Sequence, residues 1–168
     1  MVVGGGVGGA SILCWLARLG WTDVVLCEGA DLTSGSTFHS AGLVGQLRGS
    51  LSLSQLTFAL AQGARRRGAE ILTNTRVEEI SVSRGRVTGV VTDRGAIESE
   101  VVVNTGGIYA REIAALAGVN VPVIPLAHES LITRPSALPV DLPAMRDPSL
   151  LVYVRGQSGG LERMFERG

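Results

Sequence analysis

The sequence contains no lysine, few aromatic residues and no excess of charge of either sign. All fifteen basic residues are arginines, and fifteen acidic residues balance them, so the formal net charge is zero. The absence of lysine excludes Schiff-base catalysis and a P-loop, because both require a lysine amine. The neutral balance gives no electrostatic basis for binding nucleic acid or for a polybasic membrane anchor, and we predict neither partner.

Cysteine is also scarce, since the 168-residue chain has only Cys14 and Cys27, each alone in an apolar run. The two thiols have neither CxxC nor metal-ligand spacing, which predicts buried thiols in a reducing compartment and no bound metal. The uncharged first seventeen residues lack a basic leader and concentrate five glycines, unlike a signal peptide. We therefore predict a cytoplasmic or mitochondrial-matrix-like protein without a targeting segment.

Glycine is abundant instead, at 23 residues, and its densest cluster follows a short apolar run. The pattern Gly4-x-Gly6-x-x-Gly9 lies between that run, interpreted as a strand, and an amphipathic helix, which is the context of a dinucleotide-binding turn. Such glycines allow a tight turn, close approach to a diphosphate and packing of helix against strand, while amides at the helix start hold the phosphates. The predicted cofactor-binding residues of this turn are Gly4, Gly6, Val7, Gly8 and Gly9.

Glu28 follows the next apolar run, about twenty residues after the glycine motif. At this position a carboxylate accepts hydrogen bonds from the ribose diol of an adenine nucleotide and repels a 2′-phosphate, which disfavours NADP. We therefore predict that Glu28 binds the cofactor. The alternative interpretation is a glycine-rich turn of the core followed by an incidental glutamate. An NAD-linked dehydrogenase that uses the same glycine motif, the dinucleotide-binding fingerprint, also stays open.

A loop rich in Thr, Ser and Gly over residues 31–45 supplies the second candidate motif. Short hydroxyl side chains and backbone amides suit the far side of a diphosphate. The histidine of this loop offers a neutral imidazole near physiological pH, although an isolated loop histidine is more often only a surface residue. The predicted cofactor-binding residues here are Thr33, Ser34, Gly35, Ser36, Thr37, His39, Ala41 and Gly42.

Apolar periodicity predicts the elements around these motifs. Ile12, Leu16 and Leu19 predict the buried face of the first helix, and a second helix is expected from Ser54. All six prolines fall between residues 122 and 148, a shift in composition that marks the end of the α/β part. Turn sequences at 84–85 and 94–95 separate the strands of a β-meander, predicted at Val77–Ser83, Val87–Thr92 and near Ile97, before a strand at Val101–Val103.

Together these segments resemble the amino-terminal flavin domain of the sarcosine and dimethylglycine dehydrogenases, which are D-amino-acid-oxidase-like FAD-dependent oxidoreductases. The resemblance implies an α/β fold with a doubly wound parallel sheet of the FAD/NAD(P)-binding, Rossmann-like type, a β-meander and a fragmentary antiparallel substrate lobe. It extends to about Gly160 and rests, in the order of the family, on VVGGGVGGAS, VVLCE, LTSGSTFHSAGLVGQLR, SQLTFALAQGARRRGAEI, TRVEEI, VVVNTGGIYAREIAALAGV and VPVIPLAHESLIT.

The resemblance also assigns roles to single residues. In the family an aromatic–histidine pair stands within GSTFHSAGL, and its histidine is commonly joined to the flavin 8α-methyl group, so His39 is expected to contact or bond the flavin through an unprotonated nitrogen. Val77 matches a position whose backbone holds the adenine, although an ordinary strand valine is equally consistent. His128 matches a family histidine without a clear role. The turn expected close to the flavin is Thr105, Gly106 and Gly107.

The sequence departs from the family at two places. Between Arg48 and Ser54 only GSLSL stands where the family has a segment on the order of a small domain, so we predict an internal deletion near 49–54. The ending LERMFERG does not continue the family pattern. We predict an FAD-binding Rossmann-like domain over 1–121 and a remnant of the antiparallel substrate lobe over 122–168.

The function implied by the resemblance is FAD-dependent oxidative demethylation of N-methyl amino acids such as sarcosine or dimethylglycine. In that chemistry a hydride equivalent passes from the N-methyl carbon of a small amine to the flavin. Arg48 and Arg155 are candidates for a clamp on the substrate carboxylate, and the electron acceptor is not assigned. A catalytically incompetent FAD-binding fragment is the first alternative, and the NAD-linked dehydrogenase is disfavoured by the GSTFHSAGL loop.

Overall fold

The computed structural model describes residues 1–40, 52–127, 129–136, 139, 142–147, 149, 152–157 and 159–165. The chain divides into two compact units, one of Met1–Ala41 with Ser52–Ile124 and one of Gly42–Leu51 with Pro125–Gly168. In chain order the elements are β1 (Val2–Val3), α1 (Val7–Arg18), β2 (Val25–Cys27), α2 (Leu53–Arg65), β3 (Glu70–Leu72), β4 (Val77–Ser83), β5 (Arg86–Thr92), β6 (Gly95–Glu98), β7 (Val103–Asn104), a 3₁₀ turn (Gly107–Tyr109), α3 (Ala110–Ala115), β8 (Glu129–Ile132), β9 (Met145–Asp147), β10 (Val152–Gln157) and β11 (Gly160–Phe165).

A parallel sheet of four strands, in the order β3-β2-β1-β7, forms the centre of the larger unit. β1 lies inside this sheet, because Val2 pairs with Leu26 on one side and with Val103 on the other. The strand order therefore reverses between β1 and β7. In open parallel sheets such a switch point leaves a crevice at the carboxyl ends of the strands, where ligands bind. The predicted α/β fold with a parallel sheet is confirmed.

The buried face of α1 agrees with the predicted one only in part, since Ile12 and Leu16 are partly buried against the core. Leu19 is 72% exposed, while Leu13, Cys14 and Ala17 are buried instead. The reason is that α1 packs against α2 through small residues: a Cβ placed on Gly63 would lie 3.5 Å from the Cys14 sulfur. A helix face made of small residues escapes a search for large apolar side chains at helical spacing.

The β-meander lies where the sequence predicts it. β4, β5 and β6 form an antiparallel sheet in that order. Arg84 and Gly85 have φ values of 52° and 74°, and positive φ at both central residues is the geometry of the two-residue hairpin turn that matches strand twist. The strand predicted at Val101–Val103 is shorter, because only Val103–Asn104 pairs with β1.

The smaller unit contains an antiparallel sheet in the order β8-β11-β10-β9. The ending that does not continue the family pattern lies partly in this sheet, since β11 pairs with β10 on one side and with β8 on the other. Its Glu162 is paired across the ladder with Arg155, whose Nε donates to Glu162 Oε2 at 2.6 Å. The charge of a buried glutamate is thus compensated by the neighbouring strand. Within the described ranges, no helix combines the length and apolarity needed to cross a bilayer.

Candidate dinucleotide-binding site

The glycine turn between β1 and α1 lies at the switch point of the parallel sheet. Gly4 has a φ of +113°, and a Cβ there would lie 2.5 Å from the Thr105 carbonyl oxygen. A Cβ on Gly9 would overlap the carbonyl oxygen of Gly4 and lie 2.8 Å from Thr105 Oγ1. Both positions therefore require glycine, Gly4 for backbone conformation and Gly9 for the approach of α1 to β1.

The first turn of α1 offers several backbone amides to a ligand. Gly6 is the N-cap and provides no side-chain cap, and the first intrahelical bond runs from the Ala10 amide to the Gly6 carbonyl. Within the part of the chain that the structure describes, the amides of Gly6, Gly8 and Gly9 have no hydrogen-bond acceptor. Unpaired amides at the positive end of a helix dipole suit an anion such as a diphosphate.

The loop after β2 folds onto the glycine turn. The Thr33 amide donates to the Gly5 carbonyl at 3.2 Å, and the Val7 amide donates to Thr37 Oγ1 at 3.0 Å. Thr33 is buried and has a φ of 73°, which is a strained conformation for a β-branched residue. The structure thus brings the two motifs found separately in the sequence to one place.

Glu28 follows β2 and reaches the same turn. Its Oε2 accepts from the Gly5 amide at 2.6 Å, and its Oε1 accepts from the Ala30 amide at 2.9 Å. A carboxylate has about four lone-pair sites, so two of them are left for further donors such as the hydroxyls of a ribose. Glu28 is therefore both a partner of the glycine turn and a candidate for binding the sugar.

Gly5 is the functional residue that sequence reasoning missed. It occupies a variable position of the fingerprint, yet its amide and its carbonyl are bonded to Glu28 and Thr33 respectively. A Cβ on Gly5 would lie 2.7 Å from the Leu32 side chain and 2.9 Å from that of Glu28. The extra glycine inside Gly4-x-Gly6 was the available signal, since a side chain there would push the acidic residue away.

The turn after β7 is attached to the glycine turn from the other side. The Thr105 amide donates to the Val3 carbonyl at 2.9 Å, and Thr105 Oγ1 donates to the carbonyls of Val3 and Gly4 at 2.8 and 3.0 Å. Gly106 donates to Asn104 Oδ1 at 3.1 Å. The predicted segment Thr105–Gly107 therefore lies beside Gly4 in the structure.

Replacing Thr105 with valine should lower the free energy of unfolding by about 1–2 kcal/mol, because the isosteric side chain removes the hydroxyl bonds to Val3 and Gly4. Equilibrium unfolding in urea measures this change. Thr88→Val is the matched control: its hydroxyl makes an exposed 3.3 Å bond to Ser81, so a change within about 0.5 kcal/mol is expected. Equal effects of the two substitutions would show that the Thr105 hydroxyl does not hold the turn.

The remaining predicted site residues are less constrained. His39 is exposed, and its ring lies edge-on to that of Phe38, with centroids 5.3 Å apart and an interplanar angle of 87°. Val77 begins β4, two residues after Thr75, whose amide donates to the Glu28 carbonyl at 2.8 Å. Ser34, Gly35 and Ser36 of the same loop are also exposed. The predictions at Ala41, Gly42, Arg48 and His128 lie outside the described residues.

Neither a reactive cysteine nor a metal cluster is found among the described residues of this site. Burial raises the pKa of the Cys27 thiol, which keeps the thiol next to Glu28 protonated and weakly nucleophilic. Among the described residues no group of three or more His, Cys, Asp or Glu side chains is placed to hold a metal ion. The arrangement offers amides, hydroxyls and one carboxylate, which are groups that bind and orient a nucleotide.

A parallel sheet whose order reverses beside a glycine turn is the architecture of the FAD/NAD(P)-binding α/β proteins. The chain belongs to the DAO family of FAD-dependent oxidoreductases, because the model of that family, described as FAD dependent oxidoreductase, matches residues 1–55 and 47–163. The family resemblance inferred from the sequence motifs is confirmed.

The chain is also similar to individual curated proteins and solved structures. Human mitochondrial dimethylglycine dehydrogenase is 25% identical over 255 residues, which cover 96% of this chain and 29% of that protein. The mouse mitochondrial pyruvate dehydrogenase phosphatase regulatory subunit is 24% identical over 255 residues, with 96% and 29% covered. The chain thus spans less than a third of the length of these relatives. The solved structure of L-proline dehydrogenase from P. horikoshii has the same fold, with a TM-score of 0.79, 19% identity and coverage of 97% of this chain and 68% of that one.

Proposed function

We propose that this chain binds FAD at the switch point between β1 and β7 and serves the oxidation of a small N-methyl amine. The observation that carries the proposal is the convergence on one glycine turn of unpaired amides, from Gly6, Gly8 and Gly9, and of the Glu28 carboxylate. Family membership favours FAD over NAD as the occupant.

The residues present suit the adenosine diphosphate half of FAD. The amides of Gly6, Gly8 and Gly9 would bind the diphosphate at the positive end of α1, and the Thr37 hydroxyl beside Val7 would flank it. The lone pairs that Glu28 does not use for Gly5 and Ala30 would accept from the ribose diol. The other proposed contacts are those of the predicted residues Gly4, Val7, Thr33, Ser34, Gly35, Ser36, Ala41, Gly42, Val77, Thr105, Gly106 and Gly107.

His39 is the proposed point of covalent attachment. Its side chain is exposed next to Phe38, so a ring nitrogen is accessible to an electrophilic methyl group brought to the loop. A histidine bonds such a carbon only through an unprotonated ring nitrogen, which acts as the nucleophile. The support for this role is the aromatic–histidine pair that the family resemblance places here.

The proposed substrate class is an N-methyl amino acid of the dimethylglycine or sarcosine type. FAD, when bound, would accept the hydride equivalent from the N-methyl carbon, and the resulting iminium would be hydrolysed by water. Similarity to a dimethylglycine dehydrogenase over 96% of the chain supports this class. Arg155 is a weak candidate for the carboxylate clamp, because its Nε already donates to Glu162. The electron acceptor is not assigned.

A second candidate is an FAD-binding chain without turnover. The aligned stretch with dimethylglycine dehydrogenase covers 255 residues while this chain has 168, so the relative carries residues without a counterpart here. The family model matches in two stretches that meet around 47–55, which supports the proposed internal deletion near 49–54. We likewise propose that residues 1–121 form the FAD-binding domain and that residues 122–168 are a remnant of the substrate lobe. One similar protein is named as a regulatory subunit and not as a dehydrogenase.

The compartment is a proposal as well. The sequence favours a cytoplasmic or matrix-like location, and both mammalian relatives described above carry the word mitochondrial in their names.

The function is tested by loading the chain with flavin and then offering an amine. We expect FAD to be retained on gel filtration and FMN to be lost, because FMN lacks the half that the glycine turn and Glu28 would hold. Reduction of a dye acceptor is then measured with dimethylglycine and sarcosine, and with glycine as the control without an N-methyl group. Turnover restricted to the N-methyl amines supports the enzyme, whereas retained FAD without turnover supports the second candidate. Equal retention of FMN and FAD would contradict the site.

A further inference from the structure

The peptide groups on either side of Gly5 are held by protein atoms alone. In the Gly4–Gly5 peptide, the amide donates to Glu28 Oε2 at 2.6 Å and the carbonyl accepts from Thr105 Oγ1 at 3.0 Å. In the Gly5–Gly6 peptide, the carbonyl accepts from the Thr33 amide at 3.2 Å. The first peptide is therefore fixed at both ends and the second at one end.

This pattern determines where the Gly6 amide points. The N–H and C=O of a trans peptide point in opposite directions in one plane. Because Thr33 holds the Gly5 carbonyl, the Gly6 amide is directed to the opposite side of the turn. That amide is one of the three that have no acceptor within the described residues, so the bonds to Gly5 leave it exposed for an anion.

The Glu28 bond is the strongest candidate for maintaining this geometry. Hydrogen bonds to an ionised carboxylate are shorter and stronger than neutral ones, and the 2.6 Å bond to Gly5 is the shorter of the two that Glu28 accepts from amides. The bond between Glu28 and Ala30 fixes the other carboxylate oxygen. With both oxygens held, the carboxylate is a rigid acceptor for Gly5.

We propose that Glu28 is a positioning residue that preorganises the glycine turn for a diphosphate, separately from any contact with the ribose. Glu28 holds the Gly4–Gly5 peptide while Thr33 holds the Gly5 carbonyl, so Gly5 is fixed from both sides and the Gly6 amide is kept from turning toward Thr33. The identity of the ligand as FAD rests on the proposed function, but the hold of Glu28 on Gly5 is present without a ligand.

The first test measures amide hydrogen exchange in the chain without flavin. Glu28→Ala removes both acceptors, and we expect the exchange of the Gly5 amide to accelerate by about tenfold or more. Glu28→Gln retains one oxygen acceptor and should give a smaller acceleration, a partial rescue. Glu78→Gln, at an exposed glutamate of β4, is the matched control and should leave the exchange of this amide unchanged. Unchanged exchange in Glu28→Ala would overturn the proposal.

The second test separates positioning from sugar binding. FAD and an FAD analogue lacking the 2′- and 3′-hydroxyls of the adenosine are titrated into wild type, Glu28→Ala and Glu78→Gln. We expect Glu28→Ala to weaken the binding of both ligands, and the loss of affinity for the analogue should still be about tenfold or more. If the loss disappears with the analogue, Glu28 acts only through the diol and the proposal is wrong.

The two tests keep the proposals apart. If the wild-type chain fails to bind FAD but exchange of the Gly5 amide is faster in Glu28→Ala, the proposed function is rejected. The same result supports the proposal that Glu28 holds the Gly5 amide in place. Tight binding of FAD, together with unchanged exchange in that variant, would reject the positioning role alone.

Discussion

Replacing Gly9 with alanine is expected to lower the free energy of unfolding by about 3 kcal/mol or more. The new Cβ would overlap the carbonyl oxygen of Gly4 and lie 2.8 Å from Thr105 Oγ1. Rotation of a side chain cannot relieve an overlap with backbone, so α1 would have to move away from β1. Urea unfolding of the chain without flavin measures the loss, and a fall in FAD retention should accompany it.

The neighbouring glycine provides the matched control for this substitution. A Cβ on Gly8 has no atom within 4 Å, and Gly8 is an exposed residue of α1. Gly8→Ala should therefore raise the free energy of unfolding by about 0.4–1 kcal/mol, because alanine loses less conformational entropy in a helix. Similar losses in Gly8→Ala and Gly9→Ala would contradict the close packing of α1 on the glycine turn.

Replacing His39 with alanine is expected to abolish covalent retention of flavin. The chain has only two histidines, so His128→Ala is the natural comparison. After acid precipitation, we expect yellow colour in the pellets of wild type and of His128→Ala, and a colourless pellet with yellow supernatant for His39→Ala. The absorption spectra of both fractions measure the outcome.

Noncovalent binding should survive in the same variant. His39 has its ring contact with Phe38, and the bonds that hold Gly5 come from Glu28 and Thr33, so the glycine turn is expected to stay intact in His39→Ala. Release of flavin from precipitated wild-type protein would refute the linkage. A coloured pellet for His39→Ala would place the attachment at another residue.

Local sequence signals predicted the β-meander well. The Arg84-Gly85 turn depends only on local residues. Both have positive φ, and the strands on either side contain β-branched residues. Gly4 and Gly9 were also readable, because the positive φ of Gly4 and the approach of Gly9 to the Gly4 carbonyl arise within the strand–turn–helix unit. Where structure depends on a few adjacent residues, the sequence carries the information.

Predictions that depended on packing between distant segments were less successful. The buried face of α1 is formed by Leu13, Cys14 and Ala17 because α2 approaches closely at Gly63, which periodicity within α1 does not reveal. β11 was not predicted as a strand, because it is defined by its pairing with β10 and β8, which no pattern within the segment itself reveals. Glu162 is paired there with Arg155 on β10.

The candidate site shows the same division. The fingerprint and Glu28 could be found from spacing, but the 2.6 Å bond from Gly5 to Glu28 and the bond from Val7 to Thr37 join residues 23 and 30 positions apart. No local rule predicts which amide such a side chain reaches. The role of Gly5 therefore became visible only in three dimensions.

The inner position of β1 has a consequence for synthesis on the ribosome. Val2 pairs with Leu26 on one side, but its other neighbour, Val103, is made much later. A nascent chain can thus form the β1–α1–β2 unit early, while one edge of β1 stays open until residue 103 has emerged. Contacts between segments so far apart form slowly, and open edges favour association with other chains. Completion of the sheet, and with it the mature glycine turn beside Thr105, is therefore expected to follow formation of the β1–α1–β2 unit.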